Sequence, residues 1–250
     1  MGLFDIFKKT GSSPPPATPA AKKVAGPAKI VGDKRAQTYD RMEAISTLSA
    51  LRTPEAAQAL LKRFQFAIDP SITDQEEKEA AFQGVLGCGV EAVPHVRAFC
   101  TKAEVLTWPL RILRELLDDE QYTDALLQLA KSFDTEYSRN VEPKLQVIAG
   151  LSEVRGEKVR DCVERFLEDV NETVRFHAVQ TTFAQGDAAS VPALVKLLES
   201  EESMRIKNKV CDGLVNRRWF LPAELLDAAR GALRDVYDYE LSSDGSVQRR

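Results

Sequence analysis

The chain has 250 residues, of which 44% are hydrophobic and 29% charged, and its formal net charge is −4. This balance is typical of a soluble globular protein and excludes a chain that is disordered throughout. The four cysteines stand singly without a CxxC pair, and no run approaches the roughly 20 apolar residues of a membrane span, so a zinc ribbon, a disulfide framework and a spanning helix are excluded. We expect a cytoplasmic protein.

Charge is distributed unevenly along the chain. Residues 1–35 contain seven basic and two acidic side chains, whereas the remainder contains 27 basic and 36 acidic ones and so carries −9. Binding to a phosphate backbone needs an excess of positive charge, and the folded part has the opposite sign. We therefore expect no specific nucleic-acid partner.

Residues 1–33 begin with a short motif in which apolar side chains precede two lysines. Its members are Leu3, Phe4, Ile6, Phe7, Lys8 and Lys9. A helix here would place most of the apolar groups on one side, which suits a weak peripheral contact with the inner face of a membrane, or docking onto a partner protein or onto the chain's own folded end. An ordinary disordered terminus is the third alternative, and the sequence leaves all three open.

The stretch from Thr10 to Asp33 is rich in Pro, Ala and Lys. It has too little apolar bulk to fold, so we predict a disordered linker that its prolines bias towards extended polyproline geometry. A spacer has a use when the segment at its far end binds another molecule, and this favours a tethering role for the N-terminal motif. Ordered structure is predicted from residue 34.

Apolar side chains follow helical spacing through residues 34–236. Six helix pairs are predicted, with approximate ranges 39–51 and 54–64, 73–87 and 93–101, 105–117 and 118–129, 141–151 and 159–167, 171–185 and 191–198, 204–215 and 223–233. Trp108-Pro109 is expected to interrupt the third pair's first helix near its start. Residues 237–250 are polar and rich in Gly and Ser, so a flexible tail is predicted there.

Short polar residues mark several helix ends. Asn171 and Asp118 stand where N-caps are expected, and Thr73 with Glu76 three places on has the pattern of a capping box. Gly186 follows the last apolar position of its helix, as a terminating glycine does.

The helix pairs repeat in sequence. Residues 81–89 align without a gap with residues 178–186, an offset of 97 that fits three repeats of about 32 residues. Arg175 and Arg205 hold the same position in consecutive pairs. Prolines at the start of second helices, where a missing N–H costs nothing, are Pro94, Pro192 and Pro222.

The phrase x-VR-x-x-A, followed by G-(acidic)-x-x-x-VP-x-L-x-x-LL-x-(acidic), resembles the HEAT-repeat family, particularly its short bacterial form. The resemblance is sharpest over residues 169–217 and covers about residues 36–235. It implies an all-α fold, an α-solenoid of about six helix pairs with first helices on a convex face and second helices on a concave one. It implies that Arg175 and Arg205 bond to acidic residues of adjacent repeats. It implies no reaction, because most relatives are binding scaffolds.

Catalytic, cofactor-binding and metal-binding groups are not indicated. The two histidines, His95 and His177, stand alone among helical apolar residues, where a packing role is the ordinary one. The sequence contains no phosphate-binding glycine loop, no GxSxG elbow and no cluster with metal-ligand spacing. We therefore predict no catalytic residue, no cofactor and no metal.

The turn of the sixth pair contains Arg217, Arg218, Trp219 and Phe220, where the fifth pair has only Gln185-Gly186-Asp187. Arginine and large aromatics are the residues that interface hot spots favour, so these four are the predicted partner-binding residues. The alternative is that the two rings fold back and seal the open end of the solenoid.

We expect a non-catalytic scaffold that binds a protein partner along its groove or at its C-terminal edge, with the N-terminal motif as a tether. The alternative is a HEAT-like enzyme resembling an alkylpurine DNA glycosylase or a bilin lyase. A scaffold predicts a groove of mixed charge, whereas an enzyme predicts a pocket that holds an ionisable group with a perturbed pKa.

Overall fold

The computed structural model describes residues 19–250, with side chains from Lys23 onward. This part of the chain contains thirteen α-helices, joined by short turns of 3-10 helix, and one two-stranded sheet. The elements are α1 (Pro19–Val31), α2 (Thr38–Leu51), α3 (Pro54–Leu60), α4 (Ser71–Leu86), α5 (Val93–Cys100), α6 (Thr107–Leu116), α7 (Asp119–Lys131), α8 (Glu142–Leu151), α9 (Glu157–Glu164), α10 (Glu172–Gln185), α11 (Val191–Ser200), α12 (Met204–Arg217), α13 (Leu226–Ala232), β1 (Tyr239–Leu241) and β2 (Val247–Arg249).

The helices after α1 form six consecutive pairs that stack along the chain. First helices pack on first helices, with α4 between α2 and α6 and α10 between α8 and α12. Second helices pack in the same way, as in the contacts of α3 with α5, α7 with α9 and α11 with α13. The predicted all-α architecture of repeated helix pairs is confirmed.

The fifth pair shows why the sequence forms these helices. Asn171 begins α10, and its side-chain oxygen accepts hydrogen bonds from the N–H groups of Thr173 and Val174 at 2.9 and 3.2 Å. Gly186 ends the helix in the left-handed conformation, with φ 75°. The apolar stripe between these two ends is buried. The predicted caps are therefore confirmed here, as is Asp118, which accepts from the N–H of Gln121 at 2.8 Å.

Three predicted helix starts are wrong by a few residues. α4 begins at Ser71 after an extended Pro70, so Thr73 lies inside the helix and forms no capping box. α6 begins at Thr107, because Trp108-Pro109 belongs to the first turn, where proline is tolerated, and does not interrupt the helix. α13 begins only at Leu226, after a short 3-10 turn.

The linker predicted up to residue 33 is wrong from Pro19 onward. Residues Pro19–Val31 form α1, which packs on α2 and α3. Val24, Ala28 and Val31 are buried against that first pair at helical spacing. The composition of the stretch concealed this one-sided apolar stripe, which needs the first pair to cover it. The predicted tether, residues 3–9, lies outside the residues that the structure describes.

The flexible C-terminal tail is also wrong. β1 and β2 pair antiparallel around a turn in which Gly245 has φ 86°. Tyr239 and Val247 are buried, and the N–H of Leu221 donates to the carbonyl of Gly245 at 2.8 Å. The hairpin therefore packs on the last helix pair, which supplies the apolar partner that a polar tail lacks on its own.

Candidate functional site

A buried ionic cluster joins the first two helix pairs. The carboxylate of Glu77 accepts from Nε of Arg41 at 2.8 Å and from Nε of Arg63 at 2.6 Å. Arg63 also donates to Asp74 at 2.7 Å, and Lys78 pairs with the other oxygen of Asp74 at 2.7 Å. Burial opposes the ionisation of Glu77, but the hydrogen bonds from the two arginines outweigh it and hold the pKa of Glu77 below its ordinary value.

An open cleft of about 750 Å³ lies beside this cluster, and we name it the aromatic cleft. Its aromatic residues are Phe64, Phe66 and Trp108, and its charged residues are Lys78, Lys102, Glu104 and Arg111. The first pair, the second pair and the start of α6 all contribute side chains. The ionic cluster supports the cleft directly, because the guanidinium of Arg63 lies 4.7 Å from the centre of the Phe66 ring.

Trp108 is the centre of the aromatic cleft. Its ring stacks on that of Phe64 with centroids 5.7 Å apart and an interplanar angle of 15°, and it meets the Phe82 ring at 5.8 Å and 60°. These are the offset and tilted arrangements that aromatic pairs favour. Phe64 and Phe82 are buried, whereas Trp108 is half-buried and shows part of its ring to the cleft.

Arg111 lies over two of these rings. Its guanidinium carbon is 4.6 Å from the centre of the Phe82 ring and 4.5 Å from that of Trp108, within the range of cation–π contacts. Its side chain is 50% exposed, and its ion pair with Glu79 is long, at 3.7 Å. Arg111 also borders a neighbouring groove that contains Glu76 and Glu79. The charge thus changes sign across Trp108 and Arg111.

The structure divides the predicted partner-binding turn. Arg217 donates to the carbonyl of Phe183 at 2.6 Å, and Trp219 lies on the Phe183 ring at 5.4 Å, so both hold the end of α12 against α10. Arg218 is exposed in the left-handed conformation, and Phe220 is 59% exposed. The two rings therefore have different roles, and partner binding by this turn stays a prediction.

The repeated arginines contact acidic residues in two different ways. Arg175 donates to both oxygens of Glu201 at 2.7 and 2.9 Å in a largely buried fork. Burial raises the pKa of Glu201, but the bond from Arg175 outweighs this effect and lowers it. Arg205 is half-exposed, lies 3.7 Å over the Phe176 ring and reaches Glu172 only at 3.9 Å.

The repeated prolines lie at or near helix starts, and the two histidines lie on helices. Pro94 and Pro192 lie in the first turns of α5 and α11, as the sequence predicts, while Pro222 precedes a 3-10 turn instead. His95 and His177 are half-buried. His177 lies edge-on to its neighbour Phe176.

The cysteines are poor candidates for chemistry. Cys88, Cys100 and Cys211 are buried, and burial raises the pKa of Cys100 and Cys211 to about 12. Among the described residues, no group of three or more His, Cys, Asp or Glu side chains could hold a metal ion. No helix in residues 19–250 has the length and apolar character needed to cross a membrane.

Sequence reasoning missed the aromatic cleft because its residues come from three separate helix pairs. Phe64 and Phe66 end the first pair, whereas Trp108 and Arg111 lie more than 40 positions further on. One signal was present in the sequence. A Trp-Pro pair with an arginine three places after the tryptophan places two cleft-lining side chains one helical turn apart.

Comparison with known families gives one match. The PBS lyase HEAT-like repeat model matches residues 40–66, which cover most of α2, all of α3 and the turn that carries Phe64 and Phe66. No curated protein and no solved structure matches the chain. The match falls on the first helix pair, where the sequence shows only the general pattern, and not on residues 169–217. Residues 40–66 therefore match a HEAT-like repeat, and the helix pairs that follow in the described chain stack on this repeat one after another.

Proposed function

We propose that the protein is a non-catalytic scaffold that binds a partner protein in the aromatic cleft. The observation that carries this proposal is the half-buried Trp108 at the cleft with the exposed Arg111 lying over its ring. Tryptophan and arginine dominate the energetics of protein interfaces, especially where neighbouring groups already hold them in place. Phe64 and Phe82 hold the indole of Trp108. The rings of Phe82 and Trp108 hold the guanidinium of Arg111.

The protonation chemistry supports binding over catalysis. A general acid or base works best with a pKa near the operating pH. The acidic residues Asp74 and Glu77, next to the cleft, have pKa values lowered by hydrogen bonds from basic partners, which overcome the opposing effect of burial. Carboxylates with lowered pKa values are ionised at neutral pH, so Asp74 and Glu77 are poor candidates for a general acid or base there.

A lyase-like role is the alternative, and one observation favours it. The matched repeat bears the name of a lyase, and that repeat contributes Phe64 and Phe66 to the aromatic cleft. If the cleft took a bilin, adding one to the protein would shift the visible absorbance of the pigment. Our proposal expects no shift. A glycosylase-like role is disfavoured by the net charge of −9 on residues 36–250.

The test is affinity capture from the native lysate with three full-length proteins: the wild type, Arg111→Glu and Arg205→Glu. Arg205 is a matched control because it is also half-exposed and stacked on a ring, but lies outside the aromatic cleft. We expect a defined partner with the wild type and with Arg205→Glu, and its loss with Arg111→Glu. Equal capture by all three, or no captured protein, would contradict the proposal.

We also propose that residues 1–18 tether this scaffold, through Leu3, Phe4, Ile6 and Phe7 with the two following lysines. The matching truncation begins at Pro19, because starting at Lys34 would remove α1 and expose the core around Val31. Pelleting with anionic vesicles compares the truncated chain with the full one. Loss of pelleting on truncation would identify a membrane tether, and loss of a captured protein would identify a protein tether. No difference would contradict tethering.

A further inference from the structure

We infer that the aromatic cleft receives an extended, acidic segment of the partner protein, in which a carboxylate binds Arg111 and an adjacent apolar side chain packs on Trp108. This inference rests on the proposed function of the cleft and specifies the chemistry of its partner.

Arg111 is suited to bind a carboxylate of the partner. A guanidinium presents donors in a planar fork that matches the two oxygens of a carboxylate. The chain shows this pairing completed at Arg175, whose bonds to Glu201 measure 2.7 and 2.9 Å. At Arg111 the guanidinium carbon lies 4.6 and 4.5 Å from the ring centres of Phe82 and Trp108, which restrict its position, while the nearest Glu79 oxygen is 3.7 Å away. A partner carboxylate can therefore complete the fork without reorganising the arginine.

The charges around Arg111 select the sign of the partner. Three basic side chains and one acidic side chain line the aromatic cleft, whereas residues 36–250 carry −9 overall. Lys78 is already paired with Asp74, so the exposed Lys102 is the second cation available to a ligand. A basic segment would meet like charge at Lys102 and Arg111, whereas an acidic one finds opposite charge at both.

The surrounding backbone favours an extended peptide. The cleft is bordered by irregular chain at Phe66–Ala67 and Ala103–Val105 and by the starts of α4 and α6. An extended segment of about five residues spans roughly 17 Å and places alternate side chains on one side, so a carboxylate and an apolar group can enter the cleft together.

A nucleic-acid ligand, whose binding sites also combine aromatic stacking with positive charge, fits the aromatic cleft less well. Its backbone carries a phosphate at every nucleotide, so a strand that passes Trp108 would bring phosphates towards Glu76 and Glu79 in the neighbouring groove. A peptide can confine its acidic residues to Arg111 and Lys102, so it brings fewer negative charges towards Glu76 and Glu79 than a strand with a phosphate at every nucleotide.

The test selects peptides from a phage-displayed library of random 12-residue sequences on the full-length chain. We expect enriched sequences in which Asp or Glu adjoins a large apolar residue. Binding of the synthetic peptides is followed by the fluorescence of Trp108 in a Trp219→Phe background, where it is the only tryptophan. Arg111→Lys keeps the charge but removes the fork, and we expect it to weaken binding by about tenfold or more.

A charge swap tests the sign of the interaction directly. Lys102→Glu should weaken the acidic peptides and strengthen the same peptides made with Lys in place of Asp or Glu. Lys158→Glu is the matched control, because this exposed lysine of α9 gives the same change in net charge away from the cleft. It should leave both peptide sets unchanged, apart from a small long-range effect that salt screens.

Two outcomes would overturn the inference, and only the second would also overturn the proposed function. Enriched peptides without carboxylates, whose binding is lost in Arg111→Glu, would overturn the acidic partner and leave protein binding at the cleft in place. No enriched peptides, together with a single-stranded oligonucleotide that binds the wild type but not Arg111→Glu, would overturn both proposals.

Discussion

The two tryptophans of this protein each pack on a phenylalanine and are both half-buried, but their surroundings differ. Trp108 stacks on Phe64 at 5.7 Å, and Trp219 lies on Phe183 at 5.4 Å. Around Trp108 the chain leaves an open cleft lined by cations, whereas around Trp219 a hairpin closes the end of the helix stack. An aromatic pair alone therefore does not indicate a binding site, because both tryptophans are half-buried and the elements packed around each one decide whether it faces a cleft.

The surroundings of the two tryptophans also differ. Beside the aromatic cleft the ionic cluster contacts Phe66 through Arg63, with Glu77 held by two buried arginines. Near Trp219 the support is steric, because a Cβ added at Gly213 would lie 2.1 Å from the Phe183 ring. Substitutions can therefore change the buried charges beside the aromatic cleft and the packing near Trp219 separately.

The largest expected effect comes from Glu77→Gln. It leaves Arg41 and Arg63 buried without their shared carboxylate, which typically costs about 3–5 kcal/mol of the free energy of unfolding. Denaturant unfolding measures it. Glu79→Gln on the same helix is the control, because this half-exposed residue makes only the 3.7 Å contact with Arg111 and an exposed hydrogen bond from Gln83 at 3.0 Å, and it should change stability by about 0.5 kcal/mol or less. Similar losses in both variants would show that the ionic cluster is not the support of the cleft.

The same cluster predicts a dependence on pH. The folded pKa of Glu77 lies below its ordinary value of 4.5, so its ion pairs contribute their full stability above that pH and lose it as the pH falls through the folded pKa. The melting temperature of the wild type should therefore fall more steeply with acid below pH 4.5 than that of Glu77→Gln. Parallel curves for the two proteins would contradict this assignment.

At the other tryptophan, Gly213→Ala should cost about 1–3 kcal/mol, because the new methyl group forces the Phe183 ring to move. The displacement should also change the near-UV circular dichroism of Trp219. Gly231→Ala is the control, since a Cβ there meets nothing within 4 Å. It should be neutral or slightly stabilising, as expected for alanine inside a helix. A neutral Gly213→Ala would show that steric support is not needed there.

The smallest expected change in stability comes from replacing Arg111 or Arg205, and it separates an effect on binding from an effect on stability. Arg111→Gln and Arg205→Gln each remove a half-exposed cation from an aromatic face, which is worth about 0.5–1 kcal/mol. Thermal unfolding should place the two variants close together. If only Arg111→Gln also loses the partner, the loss of binding comes from the missing contact of Arg111 with the partner and not from a lower stability of the fold. A much larger loss of stability at Arg111 would instead assign it a structural role.

The sequence by itself determined the repeated helix pairs. Periodic apolar positions need only neighbouring turns to form a stripe, and caps such as Asn171 and Asp118 act within three residues, so both are local properties. The resemblance to HEAT repeats rested on the motif of residues 169–217, and the family match confirms it on the first pair.

Only the tertiary structure decided what happens at the ends and in the cleft. α1 forms in a proline-rich stretch because the first pair covers Val24, Ala28 and Val31, and the polar tail pairs as a hairpin because the last pair covers Tyr239 and Val247. The aromatic cleft unites Phe64 with Trp108 across two interfaces between pairs. These contacts depend on how whole helices stack, and the burial that stabilises them is invisible in the composition of any single stretch.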